Sequence, residues 1–387
     1  MNNILGNAAY YSQETISTSK LNLSSYITTD SLLANKQGKC DSVNLPPNSE
    51  KCIRFKKGDI LVANIRPYLK KIWLADIDGG CSADVLVFKS KEGYLPSFLY
   101  YALLRDDFFI HSMKGSKGTK MPRGDKDHLL EFLIPNFNYV QQEKISQVLS
   151  ILDAKIILNK NINIELEAMT KLIYDYWFVQ FDFPDENGRP YKSSGGKMVF
   201  NEDLKREIPY GWKVQDFGVA NEIRRGDLIT SDTIRNGNVK LVSAGVESSH
   251  FHDQSNRSAN VITVSSSGAN AGYVNFWREP IFASDCITVQ ATSVVETVIA
   301  FQFLKMIQNH IYRKASGSAQ PHVYTSDLFN LKYLLPPKKV IDLFERKLIS
   351  SNDLIGCQNQ ENDKLKELRD WLLPMLMNGQ VTVSETS

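Results

Sequence analysis

Downstream of Pro135, apolar residues fall three and four apart at Ile145, Leu149, Leu152 and Ile156, and resume at Leu166, Ile173 and Trp177. Asn159 and Asn163 occupy the same stripe between them. The pattern is a heptad seam with a polar middle, and it predicts a helix from about Val140 to Phe178. Near the carboxy terminus the pattern returns at Ile341, Phe344, Leu348 and Ile355, then Gln358 and Asn362, then Leu365 and Leu372, with Gly356 as a local weak point. Stripes this long exceed what one small domain can cover, so the two helices are expected to pack on each other. Asn and Gln at core positions would fix their register at some cost in stability. At 1.5 Å per residue the first helix would be roughly 58 Å long, a spacer holding globular units at its opposite ends.

The text before each helix has a different period. Phe55 to Val62 gives a Gly58-Asp59 turn ahead of an apolar strand, strands and turns continue to Val87, and short helices are expected from Pro96 to Phe109. Val239 to Val289 is richer in β-branched residues and glycine, as in Val261-Ile262-Thr263-Val264 and Cys286-Ile287-Thr288-Val289. Each globular unit is therefore expected to mix α and β structure.

The order of elements repeats. Gly115-Ser116, then Ile134-Pro135, then a long amphipathic run is echoed by Gly317-Ser318, Leu335-Pro336 and another such run; late in the runs Leu166, Met169, Leu172 and Ile173 match Leu365, Leu368, Trp371 and Leu372. A repeat of this length implies tandem duplication of a whole module, with an approximate two-fold axis and hence an antiparallel helix pair. The expected fold class is α+β: two mixed α/β domains separated by an antiparallel coiled coil of two long helices. The boundaries drawn are 1–137 for the first domain, 138–178 for the first helix and 179–212 for a connector rich in Pro, Gly and Ser. A second domain at 213–337, a second helix at 338–379 and a polar tail at 380–387 complete the division.

Composition narrows the function less than the pattern does. With 387 residues, 42% of them hydrophobic, the chain can bury more than one core, and a formal net charge of +2 neither demands nor excludes a polyanionic partner. Cys40, Cys52, Cys81, Cys286 and Cys357 form no C-x-x-C pair and are expected to be buried reduced thiols. Met1 to Gln13 has no basic segment followed by an apolar stretch, and no run of about 18 apolar residues occurs, so a soluble cytoplasmic chain without membrane partners is expected.

The search for chemistry is mostly negative. No phosphate loop, dinucleotide fingerprint or H-E-x-x-H helix occurs, and Gly268 to Gly272 reads as a β-turn before Tyr273-Val274. Pro184-Asp185 with Asp203-Leu204-Lys205 matches the loose spacing of a metal-dependent nuclease, but its first acid lies in the connector rather than on a rigid strand. His250, His252 and Asp253 read as a polar loop with solvated imidazoles rather than a metal site. No catalytic residue, cofactor site or metal site is expected.

Basic residues cluster at matching places in both copies. Lys114, Lys117, Lys120, Arg123 and Lys126 lie in a Gly-rich stretch of the first, with Arg66, Lys70 and Lys71 upstream; the second has Arg313 and Lys314, then Gln320 and His322, with Arg224, Arg225, Arg235 and Arg257 upstream. Such loops suit DNA phosphates, and their Arg, Lys and Gln suit base edges in the major groove. Met1 to Arg105 and Val214 to Gln308 hardly agree, so the scaffold is shared while the two reading heads differ. Unlike heads on a common scaffold are expected to recognise two different short sequences separated by unread base pairs.

Several short motifs in order complete the picture: Gly58-Asp59-Ile60-Leu61, Trp177-Phe178 with Phe181-Asp182-Phe183-Pro184, Pro209-Tyr210-Gly211-Trp212, Gly317 to His322, and the closing Leu372 to Gly379. Over nearly its whole length the chain resembles the specificity subunit of a type I restriction-modification enzyme. The resemblance implies two target-recognition domains, binding to double-stranded DNA, and helices that dock two methyltransferase (modification) subunits in an assembly with restriction subunits. Trp177, Phe178, Trp371 and Leu372, near the helix ends, are the docking candidates. It implies no catalysis by the chain itself. A protein-binding coiled-coil adaptor is the main rival, and a nuclease a lesser one.

Overall fold

A computed structural model of the chain describes residues 2–46, 51–118, 120–248, 250–315 and 321–383. It divides into two compact units, Met1–Leu158 with Asn362–Ser387, and Asn159–Glu361.

In the first unit, β1 (Asn2–Ile4) pairs antiparallel with β10 (Leu133–Pro135), tying the amino end to the strand that precedes the first long helix. After the short α1 (Leu5–Ala8), β2 (Ala9–Tyr11), β6 (Ile60–Ala63), β7 (Ile72–Leu74) and β9 (Val85–Ser90) form an antiparallel sheet in the order β2-β9-β6-β7. A second sheet has the order β3 (Thr15–Ser17), β5 (Lys51–Phe55), β8 (Gly79–Cys81), β4 (Tyr26–Ile27), its last pair parallel. Every residue of Ile60-Leu61-Val62-Ala63 is buried, as expected of a central strand covered on both faces. The alternation then sorts them. Ile60 and Val62 join Leu86, Phe88 and the helices α2 (Pro96–Leu104) and α3 (Asp106–Lys114) in one core, while Leu61 and Ala63 join Trp73, Val85 and Val87 against the second sheet. Glycine is required at β8, where a Cβ on Gly79 would lie 2.1 Å from the Ser25 carbonyl oxygen. The short α4 (Lys126–Leu130) leads into β10.

The second unit begins within the first long helix, α5 (Tyr139–Tyr174), which ends in a π-turn at Asp175–Val179. The segment expected to be a connector is folded into this unit. Phe181, Phe183, Ile208 and Trp212 are buried, Trp212 stacks on Phe183 at 5.2 Å and Phe183 on Tyr191 at 4.7 Å, and β11 (Met198–Asn201) pairs with β12 (Arg206–Pro209). The aromatic residues interleaved with Pro and Gly are what make it part of a core rather than a free tether. Gly211, at φ +86°, turns Trp212 inward.

The rest of the second unit repeats the first nearly strand for strand. β13 (Lys213–Asp216) pairs with β21 (Lys332–Leu335), and α6 (Phe217–Ala220) follows. β14 (Glu222–Arg225), β17 (Val261–Ser265), β18 (Val274–Trp277) and β20 (Cys286–Gln290) form a sheet in the order β14-β20-β17-β18, antiparallel throughout. β15 (Val239–Val242) lies between β16 (His250–His252) and β19 (Ile281–Ala283), parallel to the latter as β4 is to β8. An isolated antiparallel bridge from Arg257 to Ile281 stands where β5 meets β8. The turn into the first short helix is also shared: Leu5 N–H donates to Phe132 O at 2.8 Å, and Phe217 N–H to Leu331 O at 2.8 Å. α7 (Val294–Met306), α8 (Gln308–Ala315) and α9 (Thr325–Phe329) then match α2, α3 and α4. Heads whose sequences hardly agree thus share one topology.

The second long helix, α10 (Lys338–Met377), is continuous through Gly356. In the first unit its last turns, with Leu373, Leu376 and Met377, share a core with Ile145 and Leu149 near the start of α5, and Arg369 Nη1 lies 2.8 Å from Asp153. In the second unit its first turns, with Ile341, Phe344 and Leu348, pack with Trp177 and Phe178 at the end of α5. The helices are therefore antiparallel. The polar middle is buried as the pattern implies: Asn159 Nδ2 donates to Glu361 at 2.6 Å and Asn163 Nδ2 to Asn359 at 2.9 Å. The cysteine expectation holds only in part, since Cys81 and Cys286 are buried but Cys40 and Cys357 are exposed, all without disulfides.

Candidate nucleic-acid interface

In the first unit two loops are joined into one surface by backbone hydrogen bonds. One follows β6, from Asn64 to Lys71. The other is a small hairpin in which Lys117 and Arg123 exchange N–H···O bonds of 3.0 Å each way, with Gly118 at φ +94° in its turn. Ile65 bridges to Arg123, Arg66 N–H donates to Pro122 O at 2.8 Å, and Gly124 N–H to Asn64 O at 3.1 Å. Glycine is needed at the hairpin base, because a Cβ on Gly115 would meet the His128 ring at 2.1 Å. The joined loops expose Arg66, Tyr68, Lys117, Lys120, Met121 and Arg123.

The exposed cations are partly neutralised. Lys117 Nζ lies 3.0 Å from Asp125, whose carboxyl also caps α4 by accepting from Asp127 and His128 N–H. The Lys117 hydrogen bond, followed by those two N–H groups, holds the Asp125 carboxyl below the ordinary carboxylate range. Arg123 lies 2.9 Å from Asp84, and Lys36 and Lys70 lie 2.8 and 2.9 Å from Asp106. Burial works against the charge on Asp106, but the two ammonium groups outweigh it and its carboxyl is lowered.

The second unit builds the same junction. Ser267 bridges to His322, and Val323 N–H donates to Ser266 O at 3.0 Å, as Gly124 does to Asn64 O. Ala63 N–H bonds Lys71 O at 3.1 Å and Ser265 N–H bonds Tyr273 O at 2.9 Å, so the loop after the central strand has equal length in both units. Position for position, His322 then stands where Arg123 stands, Gly268 where Arg66 stands, and Gly272 where Lys70 stands. Gly268 and Gly272 have φ of +73° and +91°, and the two cations keep left-handed backbone at +52° and +50°. A side chain in that region costs roughly 1–2 kcal/mol, which glycine avoids. Asp285, in the position of Asp84, accepts from the Ser266 and Ser267 hydroxyls at 2.5 Å each. Burial opposes its charge, but the two hydroxyls, then Arg225 and His322, lower its carboxyl below the usual range.

The remaining expected residues fall unevenly. Lys114, Arg225 and Arg313 are exposed, and Arg224 is exposed but paired with Glu222. Arg257 points inward, donating to Thr288 Oγ1, Asn256 O and Arg225 O at 2.9, 2.8 and 2.6 Å, so it braces the sheet instead of facing solvent. Gln320, with Gly317 and Ser318, lies outside the described residues. Trp177 and Phe178 are corrected as docking residues: Phe344 and Trp212 cover them inside the core of the second unit. Trp371 is exposed and Leu372 half-buried.

The His250 and Asp185 segments are placed as follows. His250 to His252 is a strand rather than a loop, and His252 is buried, its Nδ1 accepting from Arg235 N–H at 3.1 Å and its Nε2 lying 3.2 Å from Asp253. Asp185 accepts from Asn187 and Arg189 N–H within its own turn, and Lys205 pairs with Glu202 at 2.8 Å. Among the described residues no group of three or more His, Cys, Asp or Glu could hold a metal ion.

Sequence reasoning passed over Asp84, Asp285, Lys36 and Tyr68. The first two carried a signal: Asp84-Val85-Leu86-Val87 and Asp285-Cys286-Ile287-Thr288 are each an acid directly before a strand-like run.

Comparison with known proteins identifies the family. A family model described as the type I restriction modification DNA specificity domain matches residues 6–168 and again 211–356. The chain is 25% identical over 316 residues to the MjaIX type I restriction enzyme specificity subunit of Methanocaldococcus jannaschii, covering 76% of this chain and 71% of that one. It is 24% identical to the HindI specificity subunit of Haemophilus influenzae, covering 92% and 94%. The crystal structure of a type I restriction-modification S subunit from M. genitalium shares the fold at a TM-score of 0.52 and 16% identity, covering 100% of this chain and 96% of that one. With both of its repeats matched by the family model, the chain belongs to the type I restriction modification DNA specificity family.

Proposed function

We propose that this chain is the sequence-reading subunit of a type I restriction-modification complex, non-catalytic itself, with each head taking one half of a split, asymmetric DNA target. The observation that carries the reading is the pair of topologically equivalent loop junctions, in which the backbone is kept and the residues are exchanged: Arg66, Lys70 and Arg123 in one head, and Gly268, Gly272 and His322 in the other, with Arg66, Arg123 and His322 exposed. A fixed frame with variable side chains is what two unlike half-sites require, because phosphate contacts position a protein while base-edge contacts specify. The family match does not favour a protein-only adaptor or a nuclease.

The long helices support docking of modification and restriction subunits, the partners this family implies. α5 leaves Ile151, Ile157, Leu158, Ile164 and Leu172 exposed, and α10 leaves Leu368 and Trp371 exposed. In the first unit Ile151 and Leu158 are one heptad apart, and in the second Ile164 and Leu172 are about two turns apart; all four lie outside the buried seam. Among the described residues no helix is long and apolar enough to cross a membrane.

The test is exchange of residues 1–105 for those of a relative with a different target, followed by mapping of methylated adenines in DNA modified by the assembled complex. One half-site is expected to change and the other to stay. A change in both halves defeats the assignment of one head to one half. Incubating the chain alone with DNA and Mg²⁺ is expected to leave the DNA intact.

A further inference from the structure

The acids that face the two loop junctions occupy one topological position. Ala63 pairs with Val85 across β6 and β9, and Ser265 pairs with Cys286 across β17 and β20, so Asp84 and Asp285 each immediately precede the same strand of the same sheet. Each is fastened to the loop that forms the junction. Asp84 O accepts from Asn64 N–H at 2.8 Å, and Asp285 O accepts from Ser266 Oγ at 3.0 Å. The two carboxylates are held differently on the junction side. Asp84 pairs directly with Arg123, whereas Asp285 is gripped by Ser267, the bridge partner of His322. An acid is an unexpected group at a DNA surface, since it repels phosphate and weakens sequence-independent binding. Its presence at the same position in both heads, although the residues that hold it differ, points to a role shared by the two junctions.

The geometry points to Asp84 and Asp285 as positioning residues for target reading, Asp84 by orienting the Arg123 side chain and withholding its charge from phosphate, and Asp285 by fixing, through Ser267, the junction strand that carries His322. The inference rests on the DNA-reading function proposed above. For Arg123 the mechanism is specific. A guanidinium held by a carboxylate loses rotamer freedom before DNA arrives, and so loses less on binding. Its charge, already neutralised, adds little attraction for an arbitrary backbone. A base edge with two acceptors, such as guanine O6 and N7, rewards a planar fork already aimed at it. The acid therefore lowers affinity for wrong sequences more than for the right one, which is how a repulsive element creates specificity.

The experiment compares Asp84→Asn and Asp285→Asn with the natural chain, each assembled with its modification subunits, on target DNA, on targets altered in one half-site, and on unrelated DNA across a salt series. Asp84→Asn is expected to tighten binding to unrelated DNA and to steepen its salt dependence by about one phosphate contact. It should reduce discrimination by about tenfold at one half-site only. Asp285→Asn should do the same at the other half-site, and Asp84→Glu should retain most of the discrimination. A purely structural role would instead lower the unfolding temperature and weaken all DNA equally, and that result overturns the inference. Arg123→Ala separates the two levels of argument. If Arg123→Ala reduces discrimination while Asp84→Asn leaves it unchanged, the positioning role fails and the interface stands. If Arg123→Ala, Arg66→Ala and His322→Ala all leave DNA binding unchanged, the interface fails and the positioning role with it.

Discussion

Lys70 and Gly272 occupy the same position of the same loop in the two heads, both with left-handed backbone, at φ of +50° and +91°. Glycine is the unstrained choice there, and the first head holds a lysine instead. Arg66 and Gly268 repeat the substitution four residues earlier in the loop, at +52° and +73°. Two cations held where glycine is preferred, in a loop whose twin uses glycine, mark the side chains themselves as needed.

Arg66→Gly is therefore expected to leave stability unchanged or raise it by up to about 1 kcal/mol, because relief of strain offsets the added freedom of the unfolded chain. DNA affinity should fall in the same variant. Urea unfolding and a binding titration at fixed salt check the two halves; a variant that loses both stability and affinity contradicts the account.

Lys117 and Lys120 project from the hairpin, and the Lys117 side chain is 85% exposed despite its contact with Asp125. Replacing both by Ala should weaken binding to all sequences and reduce the slope of log K against log salt by about 1–2. An unchanged slope removes these lysines from the phosphate contacts.

The two tryptophans at the ends of the long helices separate by burial. Trp177 is 6% exposed and packed on Phe344, so Trp177→Ala should cost about 3–5 kcal/mol of stability. Trp371 is 57% exposed, and Trp371→Ala should leave unfolding almost unchanged while weakening co-purification of the modification subunits. Equal thermal shifts in the two variants would contradict this division.

Arg369 is 8% exposed between Asp153 and Asp370, and Tyr101 Oη donates to Asp153 at 2.9 Å. Burial opposes the guanidinium charge, but the two carboxylates outweigh it and strengthen its hold on the proton. Arg369→Ala would leave Asp153 without its counter-ion and should destabilise the chain by about 3 kcal/mol, whereas Arg369→Met combined with Asp153→Leu should recover most of that loss. Chemical denaturation of the single and double variants measures the difference.

The helices were legible because their period of apolar residues is long and their polar interruptions recur at matching places. Asn159, Asn163, Gln358 and Asn362 are all buried, as a register-setting polar layer should be. The shared topology of the heads was hidden, since strands such as β6 and β17 need only be apolar and β-branched, and Ile60-Leu61-Val62-Ala63 and Val261-Ile262-Thr263-Val264 meet that demand with different residues. Phe181 to Trp212 read as a tether because Pro and Gly signal turns in sequence, while the inward direction of Phe183 and Trp212 depends on packing partners far along the chain. For the same reason Arg257, a cation by composition, is a brace by structure. Asp84 and Asp285 gain meaning only once the strand register sets them side by side with the residues they hold.

Ala63 to Lys71 and Ser265 to Tyr273 span the same number of residues between equivalent hydrogen bonds. Equal spans let side chains be replaced on a retained frame with no insertion to accommodate, so new recognition can evolve without a change in the path of the backbone.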